Sequence, residues 1–127
     1  MIERLSPPGI PAPRGPYSPA VRADDYIFVS GQVSVDTATQ QLSPGDVTHE
    51  TRVILQNMKT ILEGCGASLA DVVKCSVFLA DGADFAAMNE VYAEFFGASK
   101  PARGTVVTLF AVAGITVEID CMAYKPR

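Results

Sequence analysis

Hydrophobic residues recur along this chain in two rhythms, and each rhythm predicts a set of elements. Val47, Ile54, Met58, Ile61, Leu62 and Cys65 fall near one stripe of period 3.6. That spacing predicts an amphipathic helix capped by Asp46, running to about Glu63 and ended by Gly64 and Gly66. A second helix is expected from about Asp84 to Phe96, packing through Phe85, Met88, Tyr92, Phe95 and Phe96 and closed by Gly97. Val72 to Leu79 is mostly apolar and reads as a central strand that Asp81-Gly82 terminates. Ala20–Ala23 and Tyr26–Ser30 flank Asp24-Asp25 and read as a tight hairpin whose second strand stops at Gly31.

The last strands are the most informative. One run begins Pro101-Ala102-Arg103-Gly104-Thr105-Val106-Val107. The other alternates, with Ile115, Val117, Ile119, Cys121 and Ala123 on one face and Thr116, Glu118, Asp120, Met122 and Tyr124 on the other. Hairpin, helix, strand, helix, strand, strand is an α+β or split βαβ layout, a mixed sheet with two helices on one face. No repeat or second domain is visible, so residues 1–127 read as one domain. Residues 6–16 hold five prolines and cannot form a helix or central strand, and residues 36–46 read as loop.

Arg103 is the one charge at the start of the first β-rich run, and Glu118 interrupts the second. A guanidinium can grip a carboxylate in a bidentate fork, and a carboxylate aimed off the apolar face can handle protons. The plain alternative is two surface charges or a weak exposed ion pair. A direct hairpin through Ala113-Gly114 would pair Leu109 with Glu118 and leave Arg103 on the same face six residues away, about 20 Å at ~3.3 Å per residue. No small substrate spans that gap. Either the two strands are not neighbours in that register, or another subunit closes the site.

Composition narrows the classes. With 48% hydrophobic residues, a mean hydropathy of +0.21 and 127 residues, the chain can bury a core unaided and has apolar surface to spare for an oligomer interface. A net charge of −4 and pI near 4.8 leave no basic footprint for a nucleic-acid backbone. Cys65, Cys75 and Cys121 are an odd set without CxxC spacing and read as reduced thiols in a cytoplasmic protein. His49 is the only histidine, lies in the first turn of the first helix, and reads as solvent-facing or associated with the cap. No metal site is assigned. No apolar run approaches the ~18 residues of a membrane span, and the start shows no signal-peptide core. Asn89 lies mid-helix, where it is either solvated or given a polar task.

Several short motifs in order carry a resemblance: Gly15-Pro16-Tyr17-Ser18, Phe28-Val29-Ser30-Gly31-Gln32, Asn89-Glu90-Val91-Tyr92-Ala93-Glu94-Phe95-Phe96, Pro101-Ala102-Arg103 and Val117-Glu118-Ile119. In these the chain resembles the reactive intermediate deaminase family, the Rid or YjgF-type imine/enamine deaminases. The resemblance implies a chorismate-mutase-like subunit with the last strand inserted between earlier ones, a homotrimer, and pockets between neighbouring subunits. It implies hydrolysis of 2-imino or 2-enamino acids such as 2-aminoacrylate to 2-keto acids and ammonia, without cofactor. The family's substrate-gripping arginine falls on Arg103 and its acid on Glu118, and Tyr17, Ser30, Gly31, Asn89 and Thr105 fall on positions lining its pocket.

Three departures stand out. Thr105 replaces a common cysteine or serine, Ala111-Val112 replaces a usual Leu-Pro, and Arg14 stands where relatives carry a small or apolar residue. Arg14 is either solvated or a grip for a second acidic group, as in a dicarboxylate such as 2-aminomuconate. A non-catalytic protein that binds small carboxylates in the same pocket is the competing class. Arg103 suits both, whereas a carboxylate beside an anionic ligand favours chemistry.

Overall fold

A computed structural model describes residues 1–127. The strands are β1 (Ile2–Leu5), β2 (Ala20–Ala23), β3 (Tyr26–Gln32), β4 (Val35–Asp36), β5 (Gln41–Leu42), β6 (Val72–Leu79), β7 (Ala102–Val107) and β8 (Val117–Tyr124), and the helices are α1 (Val47–Gly64) and α2 (Phe85–Phe96). Six strands form one sheet in the order β1-β2-β3-β8-β6-β7, while β4 and β5 make a separate small hairpin. β8 runs antiparallel to both β3 and β6, and β7 runs parallel to β6. This is the mixed α+β sheet that the alternation and the resemblance implied, with the last strand inserted.

Both helices lie on the face of the sheet that carries the continuous aliphatic stripe. Ile27, Val29, Val77, Leu79, Val117, Ile119 and Cys121 project into a single core with Ile54, Leu55, Met58, Ile61 and Leu62 of α1 and Met88 and Phe96 of α2. Asp46 caps α1 as expected, its Oδ1 accepting from the His49 backbone N–H at 2.9 Å. The His49 ring turns outward and lies 2.9 Å from Ser43 Oγ. Cys75 and Cys121 are buried cross-strand partners and Cys65 is half-buried, all three as free thiols. No helix is long and apolar enough to cross a membrane.

Four features differ from the sequence-based expectation. Residues 2–5 form β1, an exposed edge strand whose only partner is β2, so its own composition carries little signal. The 36–46 segment is not all loop: β4 and β5 pair across a turn in which Gln40 takes a positive φ of 60°. β3 continues past Gly31 to Gln32 through a β-bulge opposite β8, in which Val29 pairs with Cys121 and Gln32 with Ile119. Phe85 is 45% exposed rather than packed in the core, because it lies at the rim of α2 beside the β7 edge.

The start of β8 is tied down by a buried carboxylate that periodicity alone passes over. Glu50 on α1 is fully buried; its Oε1 accepts from the Thr116 backbone N–H at 2.9 Å and its Oε2 from that of Gly45 at 3.1 Å. Removing this acceptor orphans two backbone donors. Glu50→Ala is therefore expected to cost about 2–5 kcal/mol in urea unfolding, with Glu50→Gln, which keeps one acceptor, losing less. A loss below ~1 kcal/mol for alanine would show that the clamp is dispensable.

Candidate functional site

Strand pairing sets where the two charged residues go. Arg103 pairs with Cys75 across β6/β7, and Cys75 pairs with Cys121 across β6/β8, so Arg103 belongs to the helix-covered face at the sheet edge. Glu118 pairs with Phe78 on the opposite, open face. Within one chain, β6 therefore separates the pair and the sheet lies between their side chains. Their Cα atoms are about 14 Å apart, from two strand steps of ~4.8 Å and a three-residue offset at ~3.3 Å per residue. The structure removes the direct hairpin, but it does not bring Arg103 and Glu118 together.

What it assembles are two half-sites. In the first, the Arg103 guanidinium carbon sits 4.8 Å from the Tyr92 ring centroid and 5.7 Å from that of Phe85. Phe85, Asn89 and Tyr92 are spaced i, i+4, i+7 on α2 and so share the face that looks at β7. The rings hold the guanidinium by cation–π attraction without consuming its donors. Unlike Arg52 and Arg127, which pair with Glu94 and Glu3, the Arg103 guanidinium makes no hydrogen bond or ion pair within the chain. It lines a cavity of ≈350 Å³ together with Asn89, Tyr92 and Lys100.

Beneath it the Tyr92 hydroxyl is buried beside the Cys75 thiol without a well-formed hydrogen bond. Burial first, then that thiol, raises the phenol above its ordinary value, so the ring stays neutral under the cation. Thr105, two residues on, pairs with Val77 on the same face of β7 and is half-exposed.

The second half-site surrounds the β3 bulge. Gly31 and Glu118 are in contact: a Cβ placed on Gly31 would lie 2.5 Å from Glu118 Oε2 and 3.1 Å from its Cδ. A side chain at position 31 would push the carboxylate out of this position. Burial raises the Glu118 pKa above the usual carboxylate value, with the Asp120 charge adding to the shift. Ser30 is a positioning residue. Its Oγ donates to the Ser18 carbonyl at 2.6 Å and its backbone N–H to that of Pro19 at 3.0 Å, which fixes the Tyr17 segment beside the bulge. Tyr17 itself is half-exposed, and its hydroxyl accepts from the Arg14 backbone N–H at 3.1 Å.

Tyr17, Ser30, Gly31 and Glu118 thus gather on one side of the sheet, and Asn89, Arg103 and Thr105 gather at the β7 edge. Reading along the sequence did not assign Phe85 and Tyr92 to Arg103. Their seven-residue spacing around Asn89 was the available signal, and it was read as packing. The surfaces between the half-sites are apolar and bare: Val106 and Val107 on β7 are 51% and 58% exposed, and Leu109 is 96% exposed.

Comparison with known proteins gives the family and the fold. The model of the family described as Endoribonuclease L-PSP matches residues 9–125. The chain is 46% identical to a RutC family protein of Pyrococcus horikoshii over 98% of its own length and 99% of the relative's. It is 42% identical to the 2-iminobutanoate/2-iminopropanoate deaminase of Mus musculus over 91% of this chain and 85% of that one. A Thermotoga maritima crystal structure superposes with a TM-score of 0.94 at 38% identity over the whole of both chains. Motifs, fold and comparisons together show that this chain belongs to the Rid/YjgF family, the family of the L-PSP model.

Proposed function

We propose that this protein hydrolyses 2-imino and 2-enamino acids, such as 2-aminoacrylate, to 2-keto acids and ammonia, at sites shared between neighbouring subunits of a homotrimer. The observation that carries the reading is Arg103: a guanidinium seated on Tyr92 with every donor free for a ligand carboxylate. Two half-sites on opposite faces of one sheet support the shared site, since the β7 edge of one subunit laid against the β3 bulge of the next would make one pocket. The exposed Val106, Val107 and Leu109 supply apolar surface for that contact.

In this site Arg103 holds the substrate carboxylate in a two-bond fork, which fixes the adjacent C=N carbon. Asn89 and Thr105 line the wall behind it. Glu118 takes a proton from water as the water oxygen bonds to the imine carbon. The same carboxyl then returns the proton to nitrogen, the C–N bond breaks with its electron pair leaving on ammonia, and the carbinol oxygen closes the keto C=O as Glu118 takes its proton, which departs with ammonia as ammonium. One water enters per keto acid and ammonia released. A carboxyl whose proton affinity is raised by burial suits this two-way transfer better than an ordinary surface glutamate. The protonated imine is already electrophilic, so orientation and proton transfer account for the step.

Hydrolysis is favoured over simple carboxylate binding because Glu118 would repel an anionic ligand unless it exchanged protons. RNA cleavage, which the description of the family model names, is disfavoured as a main activity by the net charge of −4. Three unpaired cysteines suit the cytoplasm, where thiols stay reduced.

The test is ammonia release from 2-aminoacrylate made in situ by a pyridoxal-phosphate-dependent serine dehydratase. Purified protein is expected to accelerate release and to sediment at three times the chain mass. Unchanged release with this and with longer 2-imino acids would overturn the reading.

A further inference from the structure

The proline arm ends in a second, smaller cation site. Gln40 sits at the β4–β5 turn in the left-handed region, a conformation that costs a non-glycine residue energy and needs support from its surroundings. Here its side chain staples the arm: Oε1 accepts from the Ala12 N–H at 2.8 Å, and Nε2 donates to the Ile10 and Thr37 carbonyls at 3.1 Å each. The Gln40 carbonyl in turn accepts from Arg14 Nη2 at 2.9 Å, while the Arg14 backbone N–H is held by the Tyr17 hydroxyl. Arg14 is thereby fixed at both ends. Only one donor of its guanidinium is used, and no carboxylate of the chain pairs with it.

Arg14 lines a cleft with Tyr17, Gly31, Gln32 and the arm prolines Pro11 and Pro13. The space is ≈40 Å³, a few times the ~10–15 Å³ that a cavity needs to hold one water. It has room for a carboxylate-sized group beside the guanidinium. Its Gly31 wall is the residue against which the Glu118 carboxylate rests. Gly31 therefore borders both the Arg14 cleft and the Glu118 carboxylate, which itself does not line the cleft.

We propose that Arg14 is a specificity-determining residue that binds a second substrate carboxylate, so that the protein prefers dicarboxylic 2-imino acids, the class formed by oxidising the amine of an acidic amino acid. This deepens the reaction proposed above and rests on it for turnover. The binding of a second carboxylate stands apart from it. Arg103 would take the carboxylate next to the C=N bond and Arg14 the distal one, with Glu118 facing the carbon between them. A second fixed fork adds affinity only for substrates that carry the second acid.

The experiment measures kcat/KM for the imines of aspartate and alanine, each generated in situ, in wild type, Arg14→Ala and Arg14→Lys. It also measures the affinities of the corresponding keto acids, oxaloacetate and pyruvate, by calorimetry. Wild type is expected to favour the dicarboxylate by about tenfold or more, Arg14→Ala to reduce that ratio about tenfold, and Arg14→Lys to restore part of it as a point charge without the fork. The proposal is overturned if wild type shows no preference or if Arg14→Ala leaves the ratio unchanged. Should neither imine be hydrolysed, the reaction reading fails by itself and the keto-acid affinities decide. Discrimination that disappears in Arg14→Ala supports the subsite, and equal wild-type affinities overturn it.

Discussion

Arg103→Lys is expected to lower kcat/KM for a 2-imino acid by about 100-fold or more, the equivalent of losing roughly 3 kcal/mol of charge-assisted, two-point binding. Lysine keeps the charge but not the planar fork that can grip a carboxylate while resting near the Tyr92 and Phe85 rings. Arg103 has no partner in the chain beyond those rings, so folding should suffer by no more than about 1 kcal/mol. Steady-state keto-acid formation and urea unfolding on one preparation check both halves. A loss under fivefold would mean that a point charge suffices and that the aromatic seat has another purpose.

Glu118→Gln is expected to reduce kcat by about 1000-fold, within the range for loss of a general acid–base group, while stabilising the fold at neutral pH. The sign follows from the shift. Burial raises the Glu118 pKa in the folded chain, so the folded state prefers the protonated form. That preference contributes stability at pH below the unfolded value of ~4.3 and is lost as pH rises through the folded value. Glutamine mimics the neutral form at every pH. Its Tm should therefore exceed that of wild type at pH 7 and converge with it below about pH 4. The wild-type rate should rise with pH through an inflection above the ordinary carboxylate range, one that glutamine removes. Gly31→Ala gives an independent handle. The added Cβ would overlap Oε2, so the carboxylate must swing away and activity should fall without any change of charge.

Much of this was legible because it is local. The stripe from Val47 to Leu62, the apolar run 72–79 and the alternation of 117–123 each carry their period within a dozen residues. Candidate residues Arg103 and Glu118 were also visible as charges interrupting β-rich runs, and the motif resemblance supplied the inserted position of β8. What was not legible depends on pairing at long range. Which face Arg103 occupies is set by its register with Cys75, twenty-eight positions earlier, and no local pattern encodes that parity. The β3 bulge that brings Gly31 against Glu118 exists only relative to β8. β1 has no pattern apart from its edge pairing, and Gln40 reads as one more polar loop residue until its side chain is seen holding Ala12 and Ile10. Phe85 was expected inside by its chemistry, yet the helix rotates it to the rim, where it meets the guanidinium instead.

The central claim is that one chain supplies Arg103 and the next supplies Glu118. Mixing two inactive variants tests it most directly. Arg103→Ala and Glu118→Gln chains are purified separately, combined in equal amounts, unfolded and refolded together, and assayed for 2-imino acid hydrolysis beside each variant refolded alone. Random assembly into a closed ring gives about a quarter of interfaces both intact residues, so activity near a quarter of wild type is expected from the mixture. Activity no higher than that of the separate variants, in oligomers shown to contain both chains, would contradict the shared site.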